Sequence, residues 1–193
     1  MSEYLMRTME ASELKDFYPR IERDFAAGEY PPMDVLYNHI QEGRQEGYVL
    51  YDGTGDLAYS FCAASPGRDY VLITLFAVFK EYRGQGIGSA FLNELHKIYI
   101  NERAIIVEVE KPEEAQTTEE KNKRLRRIAF YEKEGYRLIK EVDYIIWDIP
   151  MHLMVWSLNI CDAMLNKQIK QIMHQIYFGL LGDRFINKMQ FRE

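Results

Sequence analysis

The chain has 193 residues, room for one domain or one domain with an appendage, and its 47% hydrophobic content is ample for a core. A formal net charge of −6 argues against a nucleic-acid surface and mildly favours a cationic or amine-bearing substrate. Two cysteines (Cys62 and Cys161) are too few for a disulfide framework, and the four histidines have no pair at metal spacing. No run approaches a membrane span and the first residues lack a signal-peptide core, so a cytoplasmic, metal-free protein with two buried thiols is expected.

Glu3 to Thr8 reads as a short first strand. Ser12 suits the cap of a helix carrying Leu14, Phe17 and Tyr18, and Pro19 the first position of a second helix, with Ile21 and Phe25 inward and Gly28 as its stop. Gly28 to Pro32 holds two prolines and reads as an extended loop. Asp34 suits the cap of the next helix, with Val35, Leu36 and Ile40 inward. Tyr48–Tyr51 and Leu57–Cys62 read as strands around a hairpin loop at 52–56, and Pro66-Gly67 turns into a third strand from Asp69 to Val78. These three form an antiparallel meander.

That third strand leads through a polar link into Arg83-Gly84-Gln85-Gly86-Ile87-Gly88, after which Ile87, Phe91, Leu95 and Ile98 recur at helical spacing. Strand, glycine loop and helix in succession bring backbone N–H groups together at a positive helix end, which suits a phosphate or pyrophosphate. A P-loop is excluded because no lysine follows the glycines. A dinucleotide fingerprint counted from Gly84 would need its third glycine at Ser89, which weakens that reading without removing it.

Beyond the loop helix, 103–110 is a strand whose Glu108 and Glu110 share one face. Residues 111–123 are charged and turn-rich, and 123–135 is a helix with Leu125, Ile128 and Ala129 inward and Gly135 as its stop. Residues 136–147 and 151–158 are strands around a turn at 148–150. From Asn159 onward the chain reads as helical, with Leu165, Ile169, Ile172, Met173, Ile176 and Leu180 in one stripe.

Two stretches carry a resemblance. Arg83, Gly86 and Gly88, four residues past a hydrophobic strand, resemble the acetyl-CoA loop of the GNAT superfamily of N-acyltransferases, whose pattern is Gln/Arg-x-x-Gly-x-Gly/Ala. About 40 residues later, Tyr131, Gly135 and Tyr136 resemble that family's second signature, Ala-x-x-x-Tyr-x-x-x-Gly-Phe, with Ile128-Ala129-Phe130 before the tyrosine here. The resemblance covers roughly 69–158. It implies an α/β (α+β) fold with a mixed, mostly antiparallel sheet of about seven strands. A splay is implied after the fourth strand, with flanking helices and, outside the family core, a C-terminal helical extension. Domain boundaries of 1–158 and 159–193 follow, the extension packing on its own domain or at a homodimer interface.

The implied activity is acetyl transfer from acetyl-CoA to a primary amine of a small molecule or peptide. The resemblance places the pyrophosphate on the amides of Gly84, Gln85, Gly86, Ile87, Gly88 and Ser89, with help from Arg83. The pantetheine arm pairs with Phe76, Ala77 and Val78. Tyr131 takes the family's role of protonating the thiolate. Glu108, followed by Val109, matches the strand position of the glutamate base in ribosomal-protein N-acetyltransferases; Glu110 and a water chain are alternatives. Glu29 and Tyr30 border the acceptor, as does Glu110. One departure stands out: where the family commonly has an asparagine holding the CoA arm, seven residues before the tyrosine, this chain has Arg124. The rival reading is a CoA-binding sensor or regulatory module without turnover.

Overall fold

The computed structural model describes residues 4–157 and 162–192. Cys161, Asn159 and the end of the strand expected to reach Leu158 lie outside the described residues. The chain divides into two compact units: Met1–Ala63 with Ile73–Ile100, and Ala64–Leu72 with Asn101–Glu193.

The first unit is built on four strands in the order β1 (Leu5–Met9), β2 (Glu46–Asp52), β3 (Gly55–Ala64) and β4 (Tyr70–Val78). β1 and β2 run antiparallel, as do β2 and β3, with a register shift at Leu50/Tyr51. β4 starts in the second unit and ends in the first. Its Leu75 and Ala77, with Phe79 beyond its end, join Phe17, Ile21, Leu36, Tyr59 and Phe61 in one buried cluster.

Three helices belong to this unit: α1 (Leu14–Asp24), α2 (Met33–Gln41) and α3 (Ile87–Ile98). α1 corrects the expected break at Pro19, which lies inside one continuous helix. Proline has no N–H to give the Lys15 carbonyl, at a cost of roughly 3 kcal/mol. Lys15 is on the exposed side of the helix, while Leu14, Phe17 and Ile21 bury one face across the proline and hold the helix together. The expected caps are also replaced. Glu13 accepts the Glu10 N–H at 2.8 Å ahead of α1, in place of a cap by Ser12, and Pro32 stands before α2, with Asp34 in its first turn. Leu36 is buried as expected, but Val35 and Ile98, also expected inward, are exposed; His39 and Tyr99 are buried instead.

In the second unit β5 (Ala104–Glu110), β8 (Ile149–Trp156), β7 (Asp143–Ile146) and β9 (Met189–Arg192) lie side by side, and the two-residue β6 (Arg137–Leu138) pairs with β8. Each of these pairs is antiparallel. The strand expected over 136–147 is broken, with Glu141 at φ 61° between β6 and β7. The following turn falls earlier than expected, at Trp147 and Asp148, both left-handed (φ 51° and 65°), which makes a two-residue hairpin with Ile146 opposite Ile149. Pro150 lies within β8, where it faces Ile145.

α4 (Thr118–Lys133) begins five residues before the expected start, because Thr117 caps it by accepting the Glu120 N–H at 3.1 Å. Its inward face is also turned by one residue. Arg124, Arg127, Ile128 and Tyr131 point in, whereas Leu125 and Ala129 are exposed. α5 (Asp162–Phe185) buries the whole expected stripe from Leu165 to Leu180 and adds Tyr177 to it. Its end is not helical: the backbone kinks at Gly182 (φ 62°) and the chain closes with β9, a strand absent from the sequence reading. Among the described residues no helix is long and apolar enough to cross a membrane.

Candidate active site

The first unit contributes the glycine loop. β4 delivers Phe76, Ala77 and Val78 in alternation: Ala77 faces the buried cluster, and Phe76, on the other side, stacks on Phe91 of α3 at 5.3 Å. Arg83 then folds back, donating from Nε to the Val78 carbonyl (2.9 Å) and from Nη2 to Asp24 (2.7 Å). Its guanidinium thus serves the shape of the loop. Gln85 donates to the Glu81 carbonyl at 3.3 Å.

Gly84 and Gly86 both adopt left-handed backbones, at φ 79° and 82°, with nothing within 4 Å of where a Cβ would stand. Gly86 is the residue before α3, and its carbonyl accepts the Ala90 N–H at 3.0 Å, the first bond of that helix. The amides of Ile87, Gly88 and Ser89 therefore occupy the turn whose N–H groups have no earlier carbonyl in the helix to bond. An anion at that end meets both these donors and the helix dipole. Two glycines open at their Cβ positions, with a helix of twelve residues behind them, fit a pyrophosphate. The Glu29–Tyr30 segment of the same unit is tied down: Glu29 accepts the Ala26 N–H at 3.0 Å, and Tyr30 packs edge-on against Tyr18 at 5.8 Å.

The second unit holds the titratable candidates. Tyr131 is buried near the end of α4, its ring edge-on to Phe130 (5.2 Å) and Tyr136 (5.3 Å). The helix stops there because Gly135 turns left-handed at φ 86° and the Tyr136 N–H returns to the Tyr131 carbonyl at 3.0 Å.

Glu108 and Glu110 share a face of β5 and have different surroundings. Tyr144 of β7 donates to Glu108 Oε1 at 2.5 Å, and Tyr177 of α5 donates to Oε2 at 2.8 Å. Burial pushes the Glu108 carboxyl above its usual range, and the two phenols pull it back part of the way. Burial and the adjacent carboxylate raise both phenols well above the ordinary tyrosine value, so they stay donors.

Glu110 is bound to α4 instead, with Arg124 at 3.3 Å and Arg127 at 2.9 Å. Arg124, expected at the CoA arm, is committed within its own unit: it donates to the Lys111 carbonyl at 2.7 Å and also pairs with Glu120. Tyr144 and Tyr177 did not figure among the sequence-derived candidates. Tyr177 falls in the apolar stripe of α5 at helical spacing, and nothing in that spacing marks it as a polar partner. Among the described residues no group of three or more metal-binding side chains occurs.

Residues 43–138 match the acetyltransferase (GNAT) domain family, so the chain belongs to the GNAT acetyltransferases and is an acyltransferase. A GNAT-family acetyltransferase from Bacteroides thetaiotaomicron superposes with a TM-score of 0.75 at 21% identity, over 91% of this chain and 98% of that one. The ribosomal-protein-S18-alanine N-acetyltransferase of Escherichia coli superposes with a TM-score of 0.60 at 18% identity, over 82% and 96%. Spermidine N-acetyltransferase from Vibrio cholerae, in a dodecameric structure, gives 0.60 at 12% identity, over 80% and 93%. At these identities the likeness is one of fold. No curated protein matches the sequence.

Proposed function

We propose that the protein transfers the acetyl group of acetyl-CoA to a primary amine of a small molecule or peptide by direct attack. What supports the reading above all is the pair of left-handed glycines, Gly84 and Gly86, open at their Cβ positions and set immediately before α3. In this reading the amides from Gly84 to Ser89 hold the pyrophosphate, and the backbone of Phe76–Val78 pairs with the pantetheine arm. Arg83 acts by holding the loop.

The amine nitrogen attacks the thioester carbonyl carbon. A C–N bond forms as the C–S bond breaks, Tyr131 gives its phenolic proton to the departing sulfur, and Glu108 accepts the proton released by the ammonium, directly or through water. A base raised by burial is better matched to neutral pH than an ordinary carboxylate. Glu110 is the weaker candidate, because its carboxylate is already committed to Arg124 and Arg127. In this reading Glu29 and Tyr30 border the acceptor.

Acetyl-CoA consumption across polyamines, aminoglycosides, amino acids and peptide N-termini tests the activity. Tyr131→Phe is expected to lower turnover about a hundredfold with CoA affinity unchanged. Unchanged turnover removes Tyr131 as the acid. Tight CoA binding with no consumption by any acceptor points instead to a sensor.

A further inference from the structure

The C-terminal extension does more than cover an apolar face. We infer that Tyr177 of α5, with Tyr144 of β7, is a positioning residue that fixes the carboxylate of Glu108 for proton transfer. The inference rests on the reading of Glu108 as the base.

Each phenol takes a different oxygen: Tyr144 bonds Oε1 at 2.5 Å and Tyr177 bonds Oε2 at 2.8 Å. Two donors on opposite oxygens fix both the position and the rotation of a carboxylate, which one donor would leave free to swing. The two phenols come from elements far apart in sequence and unlike in kind, a hairpin strand and the long helix. Apolar packing alone does not require a hydroxyl at position 177, since its neighbours in the stripe are Ile169, Ile172, Met173, Ile176 and Leu180. A phenylalanine would fill the same space, so the hydroxyl is there for Glu108. Each phenol keeps lone pairs after donating, so it can accept a hydrogen bond from the carboxyl O–H once Glu108 is protonated.

Glu108 also has neighbours on β8 and along β5. On β8 the residue opposite is Leu153, and next to it on the same face is Met151. Glu110, two residues along β5, is neutralised by Arg124 and Arg127 of α4. The two phenols are therefore the groups that set the ionisation of Glu108 against its burial.

The test uses the full chain with 13C-labelled glutamate side-chain carboxyls, following the Glu108 resonance through a pH titration in the wild type and in Tyr177→Phe. Glu108→Gln assigns the resonance. Removing a donor that favours the charged form should move the midpoint upward, and the acid limb of acetyl-CoA consumption with it. The rate should fall about tenfold, while CoA affinity holds. An unmoved midpoint in Tyr177→Phe overturns the inference. Tyr144→Phe puts the same question from β7 if the first variant folds poorly. A separate outcome concerns the base itself: full turnover in Glu108→Gln removes Glu108 as the base, whatever the titration of Tyr177→Phe gives.

Discussion

Arg83 and Asp24 form an ion pair at 2.7 Å that joins the glycine loop to the end of α1. The two ends are unequal. Arg83 is half-exposed, whereas Asp24 is largely covered and also accepts the hydroxyl of the fully buried Tyr59 at 3.1 Å. Arg83→Ala should therefore cost less than about 1 kcal/mol in urea unfolding. Asp24→Ala should cost about 1–3 kcal/mol, because it also strands a buried phenol. Equal costs would show that the Tyr59 bond contributes nothing.

Gly84→Ala and Gly86→Ala isolate backbone conformation from packing, since no atom lies within 4 Å of either added Cβ. Each left-handed alanine should cost roughly 1–2 kcal/mol or push the loop into another shape. Calorimetric CoA affinity should fall about tenfold in both variants. Gly53→Ala, equally open and without a left-handed backbone, should leave affinity unchanged.

Glu110→Gln removes the charge that faces Arg124 and Arg127. Arg124 is largely buried, and its Nε already lacks a hydrogen-bond partner. Destabilisation of about 2–3 kcal/mol is expected in denaturant, more than an exposed ion pair would give. A loss below 0.5 kcal/mol, a bound about that of an ordinary surface substitution, would mean that the helix-facing cluster is held from elsewhere.

Stability should respond to pH in two separate windows. Glu108 has a folded-state pKa raised above its ordinary 4.5, chiefly by burial, so its ionisation works against folding. That cost is absent below 4.5, grows as the pH climbs towards the folded value, and is complete above it. Asp143 is opposite in sign: its hydrogen bond to Lys111 holds it below 3.8, so its contribution is present above that value and is lost as the pH falls further. Asp143 is well exposed, so its share is small. Unfolding curves of wild type and Glu108→Gln should diverge only above pH 4.5, and parallel curves would contradict a buried, ionising Glu108.

Local patterns made much of the fold legible. The meander, the glycine loop and the α5 stripe follow from alternation, glycine spacing and helical periodicity, and each appears in the structure. Errors arose where a distant partner outweighed a local preference. Pro19 reads as a helix start, yet Leu14, Phe17 and Ile21 bury a face on either side of it. Leu125 reads as core, yet Glu110 draws Arg124 and Arg127 inward and turns α4 by one residue. Pro150 reads as a turn, whereas Trp147 and Asp148 bend the chain just before it. Among the candidate residues, Glu108 is singled out by the resemblance at its strand position. Its phenol partners lie 36 and 69 residues further along, and no spacing rule links them to it.

β9 lies along the side of β7 away from β8. Translation delivers β7 well before Met189–Arg192, so a nascent or prematurely terminated chain carries an uncovered row of amides and carbonyls on Asp143–Ile146. The closing strand thus acts as a guard against sticking to other copies, and a ribosome-stalled chain lacking it would depend on chaperones until those four residues emerge.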